Sequence, residues 1–326
     1  MPNVLYSKPC LGSVPLAAVF PLACLLLISC SKSHNAPATG PTVYIAGDNG
    51  TNPVLWKNSS AEVLSDSAGF ATQVTLSGND VYVAGGGDVN YNADPAGTVG
   101  RYVYWKNGVQ NDLSQTTVLN FPCAIAVAGN NVYFASYAFY QNGILDSLPG
   151  EGLSGKVDAM LTVGNDLYIA GLDSVGDAVY WKNGVMNVVT KDFSSPVYCL
   201  AVSGTDVYIG GSDALNHAAY WKNGVKTVLQ ASTYPTAVWY LFVDGLDVYA
   251  VGNLVVNGAN APAYWKNGVQ VNLPLNGASY GNAASIFVSG GDVYVAGYTF
   301  QGAVFWKNGV ETILSPQGTA RSIIVQ

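Results

Sequence analysis

Four oxygen-bearing side chains alternate along one short stretch: Asp88, Asn90, Asn92 and Asp94, within GGDVNYNADP at 86–95. Oxygen ligands at every second residue are the spacing by which a loop wraps Ca2+. Ala93 stands where a calcium loop of the EF-hand type has Gly, and Val99 where it has its bidentate Glu. The pattern supports Ca2+ only as an alternative to a solvated Asx-rich loop, and no other cofactor is expected.

A second candidate set is aromatic. Phe70, Phe121, Phe193, Tyr234 and Tyr280 each stand beside Pro, Gly or Ser. Aromatic faces among Asn, Ser and Thr stack on sugar rings, though recurrence in five connections also fits packing around a channel mouth. A glycosidase pair would have to come from Asp88, Asp94, Asp146, Glu151, Asp173, Asp177 or Asp213, and sequence alone does not place any two of them at a working separation. The only histidines are His34 and His217, too few for a His metal cluster or a convincing Ser-His-Asp set. No phosphate-binding loop of the Walker type occurs. The net charge is −7 and no basic patch is visible, so nucleic acid is not expected as a partner.

The elements that position these residues come from a repeat. Of the 326 residues 49% are hydrophobic and only 10% charged, with Tyr and Gly abundant, a composition that favours strands and turns. YWKNG occurs at 104–108, 180–184, 220–224 and 264–268, with FWKNG at 305–309. Around it a unit of about 41 residues recurs, made of an apolar strand, Gly-x-Asp, a VYVAG-like strand, a variable connection and the AYWKNGV hairpin. The second-strand tyrosines Tyr44, Tyr82, Tyr133, Tyr168, Tyr208, Tyr249 and Tyr294 mark seven units. Six carry the Trp core, at Trp56, Trp105, Trp181, Trp221, Trp265 and Trp306; the third unit, about 123–155, is degenerate.

Each unit is four short strands, A to D, with Asn-Gly closing the C–D hairpin in a type I′ turn. Such repeats predict an all-β, seven-bladed β-propeller of four-stranded antiparallel blades. The first unit begins at strand B and the chain ends on a lone strand A at 322–326, so the C-terminal strand is expected to complete the first blade and remove an open edge. A Trp repeated in six blades is expected to pack between neighbouring blades rather than read a ligand. The repeated Asp80, Asp166, Asp206, Asp247 and Asp292 are expected to bond nearby backbone amides in their turns. The A–B and C–D turns are short and uniform. Length variation falls in the B–C and D–A connections, which share the opposite face of the disc, and binding is expected there. Trp239, the one body Trp outside the repeat core, is expected to fill a gap near the channel.

Residues 1–29 resemble a lipoprotein signal peptide. Lys8 precedes an apolar run that ends in Leu27-Ile28-Ser29-Cys30, followed by polar residues. This tetrapeptide resembles the lipobox of bacterial lipoproteins, which implies lipidation of Cys30, a polar linker over 30–40 and the propeller over 41–326. Acyl chains on Cys30 would hold the protein on a membrane. Cys123 and Cys199 fall in like strands two units apart and are expected to be buried free thiols.

From residue 41 to 326 the chain resembles bacterial propeller lipoproteins of unassigned function, on the strength of the lipobox and the blade repeat. Quinoprotein-like repeats place a Trp after Thr-Gly, whereas here it precedes Lys-Asn-Gly, so cofactor docking is not implied. The double glycine of kelch repeats is echoed only at Gly85-Gly86 and Gly210-Gly211. The expectation is a monomeric, non-catalytic lipoprotein that binds a protein or glycan partner through its variable-loop face. A carbohydrate-active enzyme using loop carboxylates is the alternative, and a purely structural envelope protein a third reading. Polar, slightly basic residues after Cys30 favour the periplasmic side of the outer membrane over the cell surface.

Overall fold

A computed structural model describes residues 40–90, 99–114, 124–135, 139–146, 156–192, 197–230, 236–252, 254–256 and 258–326. The chain divides into Met1–Gly40 and Pro41–Gln326. The second unit is a seven-bladed β-propeller of four-stranded antiparallel sheets. The last unit shows the plan, running Gly281–Ser289, Asp292–Thr299, Gly302–Lys307 and Val310–Ser315 from the centre outward. The other inner strands are Phe70–Ser77, Ala124–Ala128, Lys156–Val163, Cys199–Ser203 and Val238–Asp244, with Thr319–Val325 in the first blade. Each inner strand touches the next around the ring, including Gly281–Ser289 against Thr319–Val325.

The closure expected from the chain ends is present. Thr319–Val325 pairs antiparallel with Val43–Asp48, Val43 opposite Val325, and becomes the inner strand of the first blade. The degenerate third unit also builds a whole blade, from Ala124–Ala128, Asn131–Ala135, Phe139–Gln141 and Ile144–Asp146. One element was not legible beforehand. The B–C connection of the sixth blade forms a separate hairpin, Leu254–Val256 with Ala259–Ala261.

Local sequence explains the hairpins. Asn107 and Gly108 have φ of 49° and 79°, and the Asn-Gly pairs at 142, 183, 223, 267 and 308 repeat these values, as a type I′ turn requires. In the first blade Asn58-Ser59 makes the same turn, which leaves Ser59 at φ 68° without the freedom of Gly.

The six repeat tryptophans are at most 1% exposed. Trp105 packs with Tyr44, Ala46 and Leu55 of the first blade, Trp265 with Cys199, Ala201 and Tyr208 of the fifth, and Trp306 with Tyr249 and Val251 of the sixth. Trp56 meets Tyr294, Ala296 and Ala303 of the seventh blade, so the contact crosses the seam as well. Trp181 likewise packs with Ala124, Ala126 and Phe139 of the third blade, so these five tryptophans fill the gap to the preceding blade. A side chain of this size contributes about 4–6 kcal/mol of transfer free energy on burial.

The repeated turn Asp behaves differently from expectation. Asp80 does not cap amides of its own turn. It accepts from Lys106 Nζ at 2.8 Å and from Asn107 Nδ2 at 2.8 Å, both in the neighbouring C–D hairpin. The amide that the turn leaves open, Val81 N–H, donates instead to Asn107 Oδ1 at 2.9 Å. The left-handed backbone of Asn107 turns its side chain back across the two hairpins, so Asn takes the role expected of Asp. Lys106 lies over the Tyr82 ring, 5.2 Å from its centre. The same cluster recurs at Asp166–Lys182, Asp206–Lys222, Asp247–Lys266 and Asp292–Lys307. It locks the A–B and C–D turns together on one face of the disc.

Candidate ligand site at the channel mouth

The other face is built on an irregularity that the repeat places in the inner strands. A β-bulge carries one extra residue, which pairs with nothing across the sheet and re-aims a side chain. The register slips around Thr72 in the second blade, Asp158 in the fourth, Trp239 in the sixth, Ala284 in the seventh and Arg321 in the first. In the fifth blade Tyr198 N–H and the paired Cys199 both meet Gly210, which puts Tyr198 at the same position. These residues stand near the start of strand A, at the end of the channel where the variable connections gather.

The cause lies in the glycine of VYVAG. Gly47, Gly85, Gly252 and Gly297 lie directly against the carbonyl oxygens of Thr319, Phe70, Ala237 and Asn282, leaving no room for a Cβ. Each of those carbonyls belongs to the residue two before the bulged one. A glycine inside a strand commonly marks such a close backbone approach. It is the sequence signal that locates the bulge.

The bulged residues line a cavity of about 200 Å3 on the propeller axis, to which all seven inner strands contribute. In ring order they are Arg321, Thr72, Asp158, Tyr198, Trp239 and Ala284, with the third blade represented by Ala124. Tyr198 is 41% exposed and Trp239 half-buried. Arg321 Nη2 donates to Asp48 Oδ2 at 2.9 Å, its guanidinium lies 5.3 Å from the centre of the Phe70 ring, and its buried Nε has no hydrogen-bond partner among the described residues.

One residue further along, the side chains are structural. The channel-side edge of an inner strand has no ladder partner, so its polar groups need side chains. Val74 N–H donates to Ser322 Oγ, Ile125 N–H to Gln73 Oε1 and Ile323 N–H to Ser285 Oγ, each bond joining adjacent blades. Cys199 occupies this layer, buried and free, with its thiol 3.8 Å from Val238 O. Burial pushes that thiol well above its usual pKa, so it stays protonated.

The residues singled out in the sequence distribute unevenly around this site. Phe70 opens strand A rather than lying in a loop, and carries Arg321 on its face. Tyr280 precedes Gly281–Ser289 and meets Phe300 edge-on at 5.7 Å, both rings exposed. Phe121, Phe193, Tyr234, Cys123 and Glu151 lie outside the described residues. So do Asn92 and Asp94, while Asp88 and Asn90 belong to the strand Asp80–Asn90. Gly87 pairs with Arg101 and Asn90 with Val99, and the register slips between them, at Asp88.

Several carboxylates have local roles. Asp173 accepts from Val175 N–H and Asp177 N–H, and Asp213 from Leu215 N–H and His217 N–H, folding their B–C turns. Asp177 pairs with Lys191, and Asp213 with Lys226 and His217 Nδ1. Among the described residues no group of three His, Cys, Asp or Glu is placed to hold a metal ion.

The fold and its channel mouth define a seven-bladed propeller, a class and not an activity. No protein-family model and no curated protein matches this sequence. Solved structures that resemble it include the computationally designed Ika8 protein, at 16% identity over 87% of this chain and 88% of that one, with a TM-score of 0.49. YCF48 bound to D1 peptide gives 8% identity, 78% and 82% coverage and a TM-score of 0.49. A chain of the nidogen/laminin complex gives 10% identity, 88% and 98% coverage and a TM-score of 0.45.

Proposed function

We propose that the protein is a non-catalytic binding module, tethered to the cell envelope through lipid on Cys30, which takes a protein or glycan partner on its loop face. One observation carries this reading: the two ends of the disc differ in kind. On the turn face Asp, Lys and Asn repeat from blade to blade and satisfy one another. At the channel mouth the same structural position holds Arg, Thr, Asp, Tyr, Trp and Ala. A packing position keeps its residue type as the blade is repeated, as Trp56, Trp105 and their counterparts do. A position on a rigid scaffold that differs in all six blades where it is described is suited to reading one asymmetric ligand.

The test is affinity capture of the tagged, lipidated full chain from membranes of its own host, in parallel with a Trp239→Ala variant. A stoichiometric companion retained by the native chain and lost by the variant supports the reading. A companion retained equally by both would move the contact away from the mouth and overturn it.

A further inference from the structure

We infer that the channel mouth is a subsite for one sugar ring bearing a carboxylate, a uronic acid or a similar sugar acid, which rests on the glycan branch of the binding reading. The cavity of about 200 Å3 is smaller than the roughly 300–1,000 Å3 of pockets that enclose drug-sized ligands, so it suits one ring and not a folded segment. Its wall is arranged by chemistry. Tyr198 and Trp239 stand on adjacent blades and both line the cavity, and aromatic rings are the side chains on which the C–H face of a pyranose stacks. Next in order is Ala284, the smallest side chain at these positions. Beyond it comes Arg321.

Arg321 is held rather than spent. Asp48 takes one Nη2 bond and the Phe70 ring supports the guanidinium plane, which fixes its direction while other donors remain for an incoming group. Planar donors of this kind match a carboxylate. Asp158 lies across the ring from Arg321, three blades away. An ionised carboxyl at that place would repel the acid group and accept from hydroxyls, which orients the ring with its acid group toward Arg321 and its hydroxyl edge toward Asp158 and Thr72, whose own hydroxyl donates to Ala84 O and can still accept. A neutral sugar would gain the stacking and the hydroxyl bonds but leave the arginine unanswered.

The experiment measures binding of the full chain to methyl glucuronoside, to its methyl ester and to methyl glucoside, by saturation-transfer NMR and calorimetry. The acid is expected to bind at least about tenfold more tightly than its ester, with the preference shrinking as salt is raised. Trp239→Ala should abolish binding of all three, and Asp158→Asn, which removes a charge that repels a carboxylate and would hold an ammonium, should enlarge the acid's advantage over glycine, tested as an amino-acid zwitterion. Because the ester changes the ligand alone, this comparison does not depend on whether an Arg321 variant folds. Equal binding of acid and ester would overturn the carboxylate assignment and leave glycan binding standing. No binding of any sugar, or binding of the zwitterion instead, would overturn the sugar-acid subsite. The Trp239→Ala capture described above then decides the wider binding reading on its own.

Discussion

Arg321 and Asp48 stand 273 residues apart in sequence and are joined at 2.9 Å by an Nη2–Oδ2 ion pair. Asp48 ends the first strand of the chain's propeller and Arg321 lies in the last, so the pair sits on the seam that closes the ring. The same arginine faces the cavity on the axis. Closure and site share a residue, and a site made of seven inner strands is complete only when the final strand has docked.

Deleting 319–326 should therefore do more than shorten the chain. It removes the inner strand of the first blade and exposes the edges of Val43–Asp48 and of the neighbouring inner strands. Loss of a single cooperative unfolding transition and concentration-dependent association are expected, seen by calorimetry and light scattering. Arg321→Gln keeps the strand and should cost only about 1–2 kcal/mol, since the arginine side chain is 39% exposed. A truncated chain that melted like the intact one would show that the seam contributes little.

Gly297→Ala tests the bulge directly. Gly297 lies against Asn282 O and does not have a positive φ, so backbone freedom is not at issue and only the missing Cβ is. The new methyl must push strand A away from strand B or flatten the bulge at Ala284. A loss of about 1–3 kcal/mol is expected in urea unfolding, typical of overpacking. No loss in midpoint would mean that the close approach is not a structural requirement.

Ser59→Gly should act in the opposite direction. The other six C–D hairpins use Gly at this corner, at φ between 79° and 83°, while Ser59 holds φ 68° with a side chain. A non-glycine residue pays about 1–2 kcal/mol in the left-handed region, and the glycine gives back part of this through its looser unfolded chain. A net gain of about 0.5–1 kcal/mol, read as a higher midpoint in urea, is the expected outcome.

Much of this architecture is legible in the sequence because it is written in local chemistry. Asn-Gly demands a particular turn, Trp at period-two positions demands burial, and a unit lacking strand A at one end with a spare strand A at the other demands closure. The third blade survived its loss of Trp because Asn142-Gly143 still forms the hairpin and Asn142 Oδ1 still takes Val132 N–H. The mouth was far less legible. Its residues share no type, and Thr72, Asp158, Tyr198, Ala284 and Arg321 read as ordinary strand positions until the register slips beside them are known. The sequence points to loop aromatics, whereas the varied side chains stand at the inner strands. The role given to Asp80 failed for a related reason: the side chain that reaches its turn comes from Asn107, a contact between hairpins that no local pattern announces.

The Asp–Lys clusters of the turn face set the last prediction. In Asp80, Asp166, Asp206, Asp247 and Asp292 the hydrogen bond from the paired lysine, followed by that from the neighbouring Asn, holds the carboxyl below its ordinary value. Unfolded aspartate titrates at about 3.9. Because the folded pKa is the lower one, the unfolded chain binds more protons between the two values. The contribution is therefore fully present above about pH 4 and is lost as pH falls through the folded pKa. Lys106 is raised by its bond to Asp80, so its share is intact below about pH 10.4 and lost as pH climbs through the higher folded value. As far as these clusters act, stability should be level between those limits and fall outside them. Each pair is exposed and weakened by salt, so the slopes should flatten as ionic strength rises. Asp166→Asn removes one titrating group and should reduce the acid-side slope accordingly, with the other four carboxyl resonances unmoved in NMR titrations. An unchanged acid slope in that variant would show that Lys182 and Asp166 meet in the fold without contributing to it.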